Sequence, residues 1–272
     1  MLIITVMIPL EEKYKKLVLE LVDRLIPKRR PCKYSNAYYF DNFVHVLKNV
    51  VSWKSLSKVF PNMPKNHYKT IQDKFLQWSK ANIFEIAYEK LIEETKKIYT
   101  EKSQIDLFID TANINNKYGI EYATYGQNKK KKVTKISLVV NEEKIPLSVT
   151  FHKGNKHDSQ TVTESLKKVT EGIKYKKINV IGDSAYILKP LVLKDFAEIK
   201  IRFIAPYRKN MKRKNSEFEV EKLSKRSKVE HSNAYMKDYN RVYVRRDRLI
   251  HTYRSFVFMA LGIKFFADKS FY

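Results

Sequence analysis

Cysteine is nearly missing from this 272-residue chain: Cys32 stands alone. That excludes an internal disulfide and any multi-cysteine zinc site, and it fits a reducing, intracellular compartment. Acid is scarce as well, with 29 Asp and Glu against 54 Lys and Arg and a net charge of +25. Such a field attracts polyanions and makes their binding depend on salt, so nucleic acid is the leading partner. A ribosome-associated or anionic-membrane surface would carry similar charge, but here the basic residues are spread among apolar segments and not gathered on one amphipathic helix. Long hydrophobic runs are lacking too. The apolar start MLIITVMIPL gives way to EEKYKK, at about half the length of a membrane span. It has neither the basic flank nor the small-residue cleavage site of a signal peptide. The C-terminal RSFVFMALGIKFF is also short for a span and reads as a helix that closes a core. No internal repeat is evident, and the nearest approach to low complexity is QNKKKKVTK at 127–135. What remains is a soluble chain, 43% hydrophobic, large enough for one sizeable domain and a smaller one.

Periodicity divides the chain near residue 100. In EEKYKKLVLELVDRLI, NAYYFDNFVHVLKNVV and TIQDKFLQWSKANIFEIAYEKLIEETKKI apolar residues recur three and four apart, which predicts an all-helical domain over 1–100. Within it SWKSLSKVF, the break PNMPKN and HYKTIQDKFLQW have the order of a helix-turn-helix. Lys65, His67, Lys69 and Lys74 would then face DNA, while Trp53, Leu56, Phe60, Phe75 and Trp78 read as core; a plain helical bundle accounts for the same residues. Over 101–272 strands take over: QIDLFID, TKISLVVN, KIPLSVTFHKG, INVIGDSAY and IRFIAP. NEEKI makes a hairpin of the second and third. DSQTVTESLKKVTEGI, with a capping box at Thr161 and Glu164, supplies a crossover helix before the fourth strand. Three antiparallel strands, a helix, a parallel strand, a fifth strand and terminal helices predict an α/β domain with an RNase H-like mixed five-stranded sheet flanked by helices.

Three acids stand out on that frame. Alternation puts Asp106, Phe108 and Asp110 on one strand face, with Asp110 at the strand mouth before TANIN. Asp183 ends the fourth strand, which adjoins the first in such a sheet. Paired carboxylates repel unless a cation lies between them, and hard oxygen donors at strand ends suit Mg²⁺. Glu230 lies in SKRSKVEHSNAYMKDY, with Arg226 four positions before it, Lys237 seven after, and Asn233 between, all on one helical face. That pattern fits a metal ligand with phosphate-holding neighbours; it also fits a surface ion pair between Arg226 and Glu230.

Together these segments resemble the DDE transposases of bacterial insertion sequences, in the large insertion-sequence four and five group. FIDTANI resembles the first-acid segment, VIGDSAY the second, and RSKVEHSNAYMK the third, whose signature sets Arg, Glu and Lys at the spacing of Arg226, Glu230 and Lys237. HKGNKHDSQT resembles a further common segment, and RRPCKYS, VVSWKSLSKVF and WSKANIF resemble the helical domain that precedes the core. One departure is that the signature's tyrosine falls at Leu223. The resemblance implies catalytic, metal-holding Asp110, Asp183 and Glu230 with two Mg²⁺ ions, Mn²⁺ substituting, and phosphate contacts by Arg226 and Lys237. It implies cleavage at transposon ends and strand transfer into target double-stranded DNA, by a homo-oligomer that is dimeric when two ends are paired.

Other basic residues are candidate phosphate contacts: Lys135, Arg208 and Lys212, with Lys69 on the helical domain and the lysines at 129–132 beside the first strand. Asp158 or Ser159 is expected to cap the crossover helix, and His157 by itself does not make a metal site. A catalytically idle DNA-binding descendant and a nuclease or resolvase on the same fold are the competing readings, and retention of all three acids favours the transposase. A haloacid-dehalogenase-type phosphatase is excluded, since its second Asp falls at Ala112.

Overall fold

Apolar residues at helical spacing fold the N-terminal third as expected in the computed structural model, which describes residues 10–27, 33–49, 51–100, 104–126, 131–170, 177–187, 201–208 and 210–267. Cys32, Lys129 and Lys130 lie outside these. The chain forms two compact units, Met1–Leu91 with Met236–Tyr272, and Ile92–Tyr235. The boundary between the two units lies after Leu91, and the C-terminal segment groups with the N-terminal helices.

The first unit contains α1 (Leu10–Leu25), α2 (Asn36–Asn49), a 3₁₀ turn running into α3 (Leu56–Val59), α4 (His67–Lys80), the start of α5 (Ile83–Thr100) and, from the far end of the chain, α9 (Asn240–Tyr243) and α10 (Ile250–Ala267). An apolar helix like α10 cannot face water, and it buries Tyr253, Phe256, Val257 and Leu261 against α1 and α4. Phe75 stacks on Phe256 at 4.5 Å and meets Phe43 at 5.1 Å. Contact is close enough that a Cβ on Gly262 would lie 2.4 Å from the Tyr14 ring, so only glycine fits there. Leu56, Phe75 and Trp78 are buried as expected, whereas Phe60 is 39% exposed.

The second unit is built on β1 (Ile105–Asn116), β2 (Thr124–Tyr125), β3 (Lys132–Val140), β4 (Pro146–Lys153), α6 (Val162–Thr170), β5 (Ile178–Ile181), β6 (Ile201–Ile204), α7 (Glu217–Ser224) and α8 (Ser227–Lys237). β3 runs antiparallel to β1 and to β4, while β5 runs parallel to β1 and to β6. This order and these directions are the RNase H-like arrangement. Seven strands are described, not five: β2 adds to β3, and β7 (Val244–Arg245) lies in the C-terminal segment. Each is two residues long, too short to leave a period in the sequence. The expected hairpin is built by Asn141, whose Oδ1 accepts from the backbone N–H of Glu143 and Ile145 while Lys144 turns at φ 65°. The crossover helix is capped differently from expectation. A 3₁₀ turn, Asp158–Thr161, precedes α6, and its cap is His157, which pairs with Gln160 in a capping box. The imidazole Nδ1 accepts from the Ser159 N–H at 3.3 Å, which releases Asp158 for another contact.

Candidate active site

Register brings the two aspartates together. On the parallel strands β1 and β5, Phe108 lies opposite Ile181, so Asp110 and Asp183 each stand two residues further on, at the same level. β1 does not end at Asp110 as the sequence suggested; it continues to Asn116, with Asp110 opposite Leu138 of β3. The mouth exists because the neighbouring strand β5 stops. Asp183 then caps a 3₁₀ turn, its Oδ1 accepting from the Ala185 N–H at 2.8 Å. That turn folds Tyr186 back beneath Gly182, where a Cβ would lie 2.6 Å from the ring.

α8 carries the third wall. Lys228 Nζ donates to the Glu142 carbonyl at 2.8 Å and Ser232 Oγ to the Lys144 carbonyl at 2.8 Å, fixing the helix on the β3–β4 hairpin. Asn233 Nδ2 donates to Asp110 Oδ2 at 2.8 Å. Arg226, just before α8, donates through a terminal guanidinium nitrogen to Glu230 Oε1 at 2.9 Å. The surface pair and the cleft position are therefore both real: Ile109, Asp110, Asp183, Arg226, Val229 and Glu230 line a cleft of about 90 Å³.

Burial raises the Asp110 carboxyl from 3.8 to about 6, the negative charges of Asp183 and Asp158 push the same way, and bonds from the Thr111 N–H and Asn233 oppose them. A carboxylate in this state is short of positive charge. Among the described residues no group of three or more His, Cys, Asp or Glu forms a ready-made metal site. The residues present nevertheless fit a hard divalent cation. Asp110 and Asp183 repel each other, Asn233 Oδ1 is buried with no hydrogen bond, and all these donors are oxygen, which Mg²⁺ prefers alongside water. Glu230 is held by Arg226 on the wall of the same cleft.

The remaining basic candidates divide. Lys237 closes α8 and is half-buried; Arg208, Lys212 and, in the first unit, Lys69 are exposed and do not line the cleft. Lys131 and Lys132 are exposed too. Lys135 corrects the sequence reading: its side chain is 1% exposed and pairs with Asp158, and its Nζ donates to the Lys156 carbonyl at 2.6 Å. It cannot reach a DNA phosphate, because β3 is buried on both faces from Val133 to Val140. The sequence clue was its place in mid-strand, between Thr134 and Ile136. Asn233 as a partner of Asp110, and Asp158 as a charge acting on it, were not legible; both depend on contacts between distant segments.

Residues 98–263 match the family described as the transposase DDE domain. With well over half of its length matched, the chain belongs to that family, whose members are transposases of mobile elements acting in DNA transposition and generally using divalent metal ions. Among solved structures it is similar to the Mos1 transposase paired-end complex with left transposon end, at 10% identity and a TM-score of 0.26 over 76% of this chain and 81% of that one. It is also similar to a pre-cleavage Mos1 transpososome, at 10% identity and 0.26 over 90% and 82%. A third is the Mos1 strand transfer complex, at 11% identity and 0.25 over 90% and 81%. No curated protein matches the chain in sequence. Among the described residues no helix is long and apolar enough to cross a membrane.

Proposed function

We propose that the protein is a DNA transposase of the insertion-sequence four and five group that cleaves double-stranded DNA at the ends of its element and transfers the freed 3′ strand into target DNA. The observation that carries this reading is the pair Asp110 and Asp183, level with each other on adjacent parallel strands, with no lysine or arginine bonded to either among the described residues. Asp110, Asp183 and Glu230 would hold two Mg²⁺ ions, with Mn²⁺ as a substitute. When bound, such ions activate an attacking water or 3′-hydroxyl and stabilise the leaving oxygen, which serves both steps because each is an in-line phosphoryl displacement.

The protein's own part is placement. Asn233 orients Asp110 through its 2.8 Å bond. Arg226 holds Glu230 on the cleft wall, and its planar fork can also grip a phosphate next to the scissile bond; Lys237, seven residues past Glu230, offers a point charge further along. Arg208, Lys212 and Lys69 are exposed and would track the backbone without reading sequence. The net charge of +25 supports strong, salt-dependent DNA binding. Two copies are expected to act together so that two ends are processed in one complex. The domains we assign are a helical DNA-binding part within 1–100 and a catalytic part within 101–272, with α10 of the catalytic part grouped with the N-terminal helices.

The deciding experiment is cleavage of labelled DNA carrying the element's own ends, with Mg²⁺ or Mn²⁺, by wild type and Asp183→Asn. Metal-dependent cuts at the ends that vanish in Asp183→Asn while DNA binding persists support the enzyme. Binding by wild type with no cleavage would identify an idle DNA-binding descendant.

A further inference from the structure

We propose that a second site, a groove of about 430 Å³ between the β1–β3 connection and the end of β4, takes one unpaired nucleotide of single-stranded DNA. The base lies on Tyr122 and the phosphate on Lys153 and Lys156. This rests on the DNA-processing reading above and adds a substrate feature to it.

Tyr122 lines the groove with φ at 58° and 41% of its surface exposed. A bulky residue in left-handed backbone is uncommon and costs energy, so the chain holds this ring outward against its own preference. Its neighbours repeat the pattern. Tyr118 and Tyr125 are 54% and 56% exposed, with Lys117 5.3 Å from the Tyr118 ring and Lys132 5.8 Å from the Tyr125 ring. Exposed aromatics interleaved with lysines are what single strands bind, bases stacking while ammonium groups follow the phosphates.

The groove is built, not incidental. Thr124 Oγ1 bonds Asn155 at Oδ1 (3.2 Å) and at its N–H (3.0 Å), tying one wall to the other. Gly154 brings the turn so close that a Cβ would lie 2.6 Å from the Val133 carbonyl and 2.9 Å from the Thr124 carbonyl. Gln160 accepts from the His157 N–H through Oε1, which leaves its amide NH₂ to donate to a base edge. Lys153 is exposed on the rim, while Lys156 bonds His152 Nδ1 at 3.3 Å and lies 3.8 Å from Glu164.

The groove floor rests on β3. His152 on its floor lies opposite Lys135 in the β3–β4 register. Lys135 pairs with Asp158.

The test uses the full chain and a single-stranded oligonucleotide containing 2-aminopurine, the same oligonucleotide with an abasic position there, and the duplex form. Wild type is expected to quench the 2-aminopurine and to bind the base-containing strand about tenfold more tightly than the abasic one. Tyr122→Ala should remove that preference and Tyr122→Phe should keep it. Lys153→Gln should weaken base-containing and abasic strands alike and flatten the salt dependence. Equal affinity of wild type for the two strands, or undiminished quenching in Tyr122→Ala, overturns the groove assignment. Cleavage at element ends is scored separately, so its absence counts against the transposase reading without deciding the groove.

Discussion

Asp106 and Asp110 are the same residue type, four positions apart on one face of β1, in surroundings built by the same sheet. Asp106 is 4% exposed and fully provided for: Lys222 Nζ donates to Oδ2 at 2.6 Å and Asn179 Nδ2 to Oδ1 at 2.7 Å. Asp110 receives an amide from Asn233 and faces Asp183, with no cation of its own among the described residues. The fold supplies the counter-charge in one case and withholds it in the other. A buried acid with its own lysine belongs to the structure; one without awaits a charge from outside, and that difference separates scaffold from site over about 13 Å of strand.

The strongest way to break this comparison is to neutralise each acid in turn. Asp110→Asn should lower end cleavage by at least a thousandfold, about 4 kcal/mol of barrier, while Asp106→Asn leaves cleavage by the folded protein in place; equal losses in a cleavage assay would dissolve the distinction. Stability should respond the opposite way. Asp106→Ala strands Lys222, whose side chain is 15% exposed, and should cost about 3 kcal/mol in urea unfolding. Asp110→Asn should instead stabilise the metal-free protein at pH 7 to 8 by about 3 kcal/mol.

The sign follows from the raised carboxyl. A folded-state value of about 6 against 3.8 means that ionisation penalises the fold. The penalty is full above about pH 6, shrinks as pH falls, and is gone below about 4, where wild type and Asp110→Asn should converge. Mg²⁺ should raise the Tm of wild type at pH 7.5 and leave the variant nearly unmoved.

A basic counterpart sharpens the comparison further. Burial, with Lys156 and Lys135 adding to it, lowers His152 from 6.5 to about 4, and Glu164 Oε2 at 3.4 Å does not reverse this. The imidazole is therefore neutral in the fold. Stability should decline as pH falls from about 6.5 toward 4, by about 3 kcal/mol for this group, and His152→Gln should flatten that segment of the profile. The smallest effect belongs to Arg226→Gln. The pair it forms with Glu230 is exposed, 36% and 52%, and should contribute under about 1 kcal/mol to stability, so any large loss of cleavage in this variant reports on the cleft and not on folding.

Much of this was readable before folding was considered. Period-two runs ending on Asp110 and Asp183, and the Arg226, Glu230 and Lys237 spacing, located the candidate cleft from residue type and position. Lys135 misled because a lysine in a basic chain reads as surface, and only the burial of β3 on both faces turns it inward. The sequence predicts Asp158 or Ser159 as the cap, yet His157 takes that role on the 3₁₀ turn ahead of α6, since several side chains here can accept from the first N–H groups and local sequence does not choose between them. The extra strands were invisible for want of length.

What the sequence determined alone was local and periodic: which segments are helix or strand, the excess of positive charge, and acids placed near strand ends. Tertiary structure decided which acids are paired and which are left wanting a cation. It set Asp110 level with Asp183 by strand register, gave Asp106 its lysine from α7, and opened a groove around Tyr122. Those outcomes depend on contacts between residues tens of positions apart, and neither propensity nor spacing within a segment carries that information.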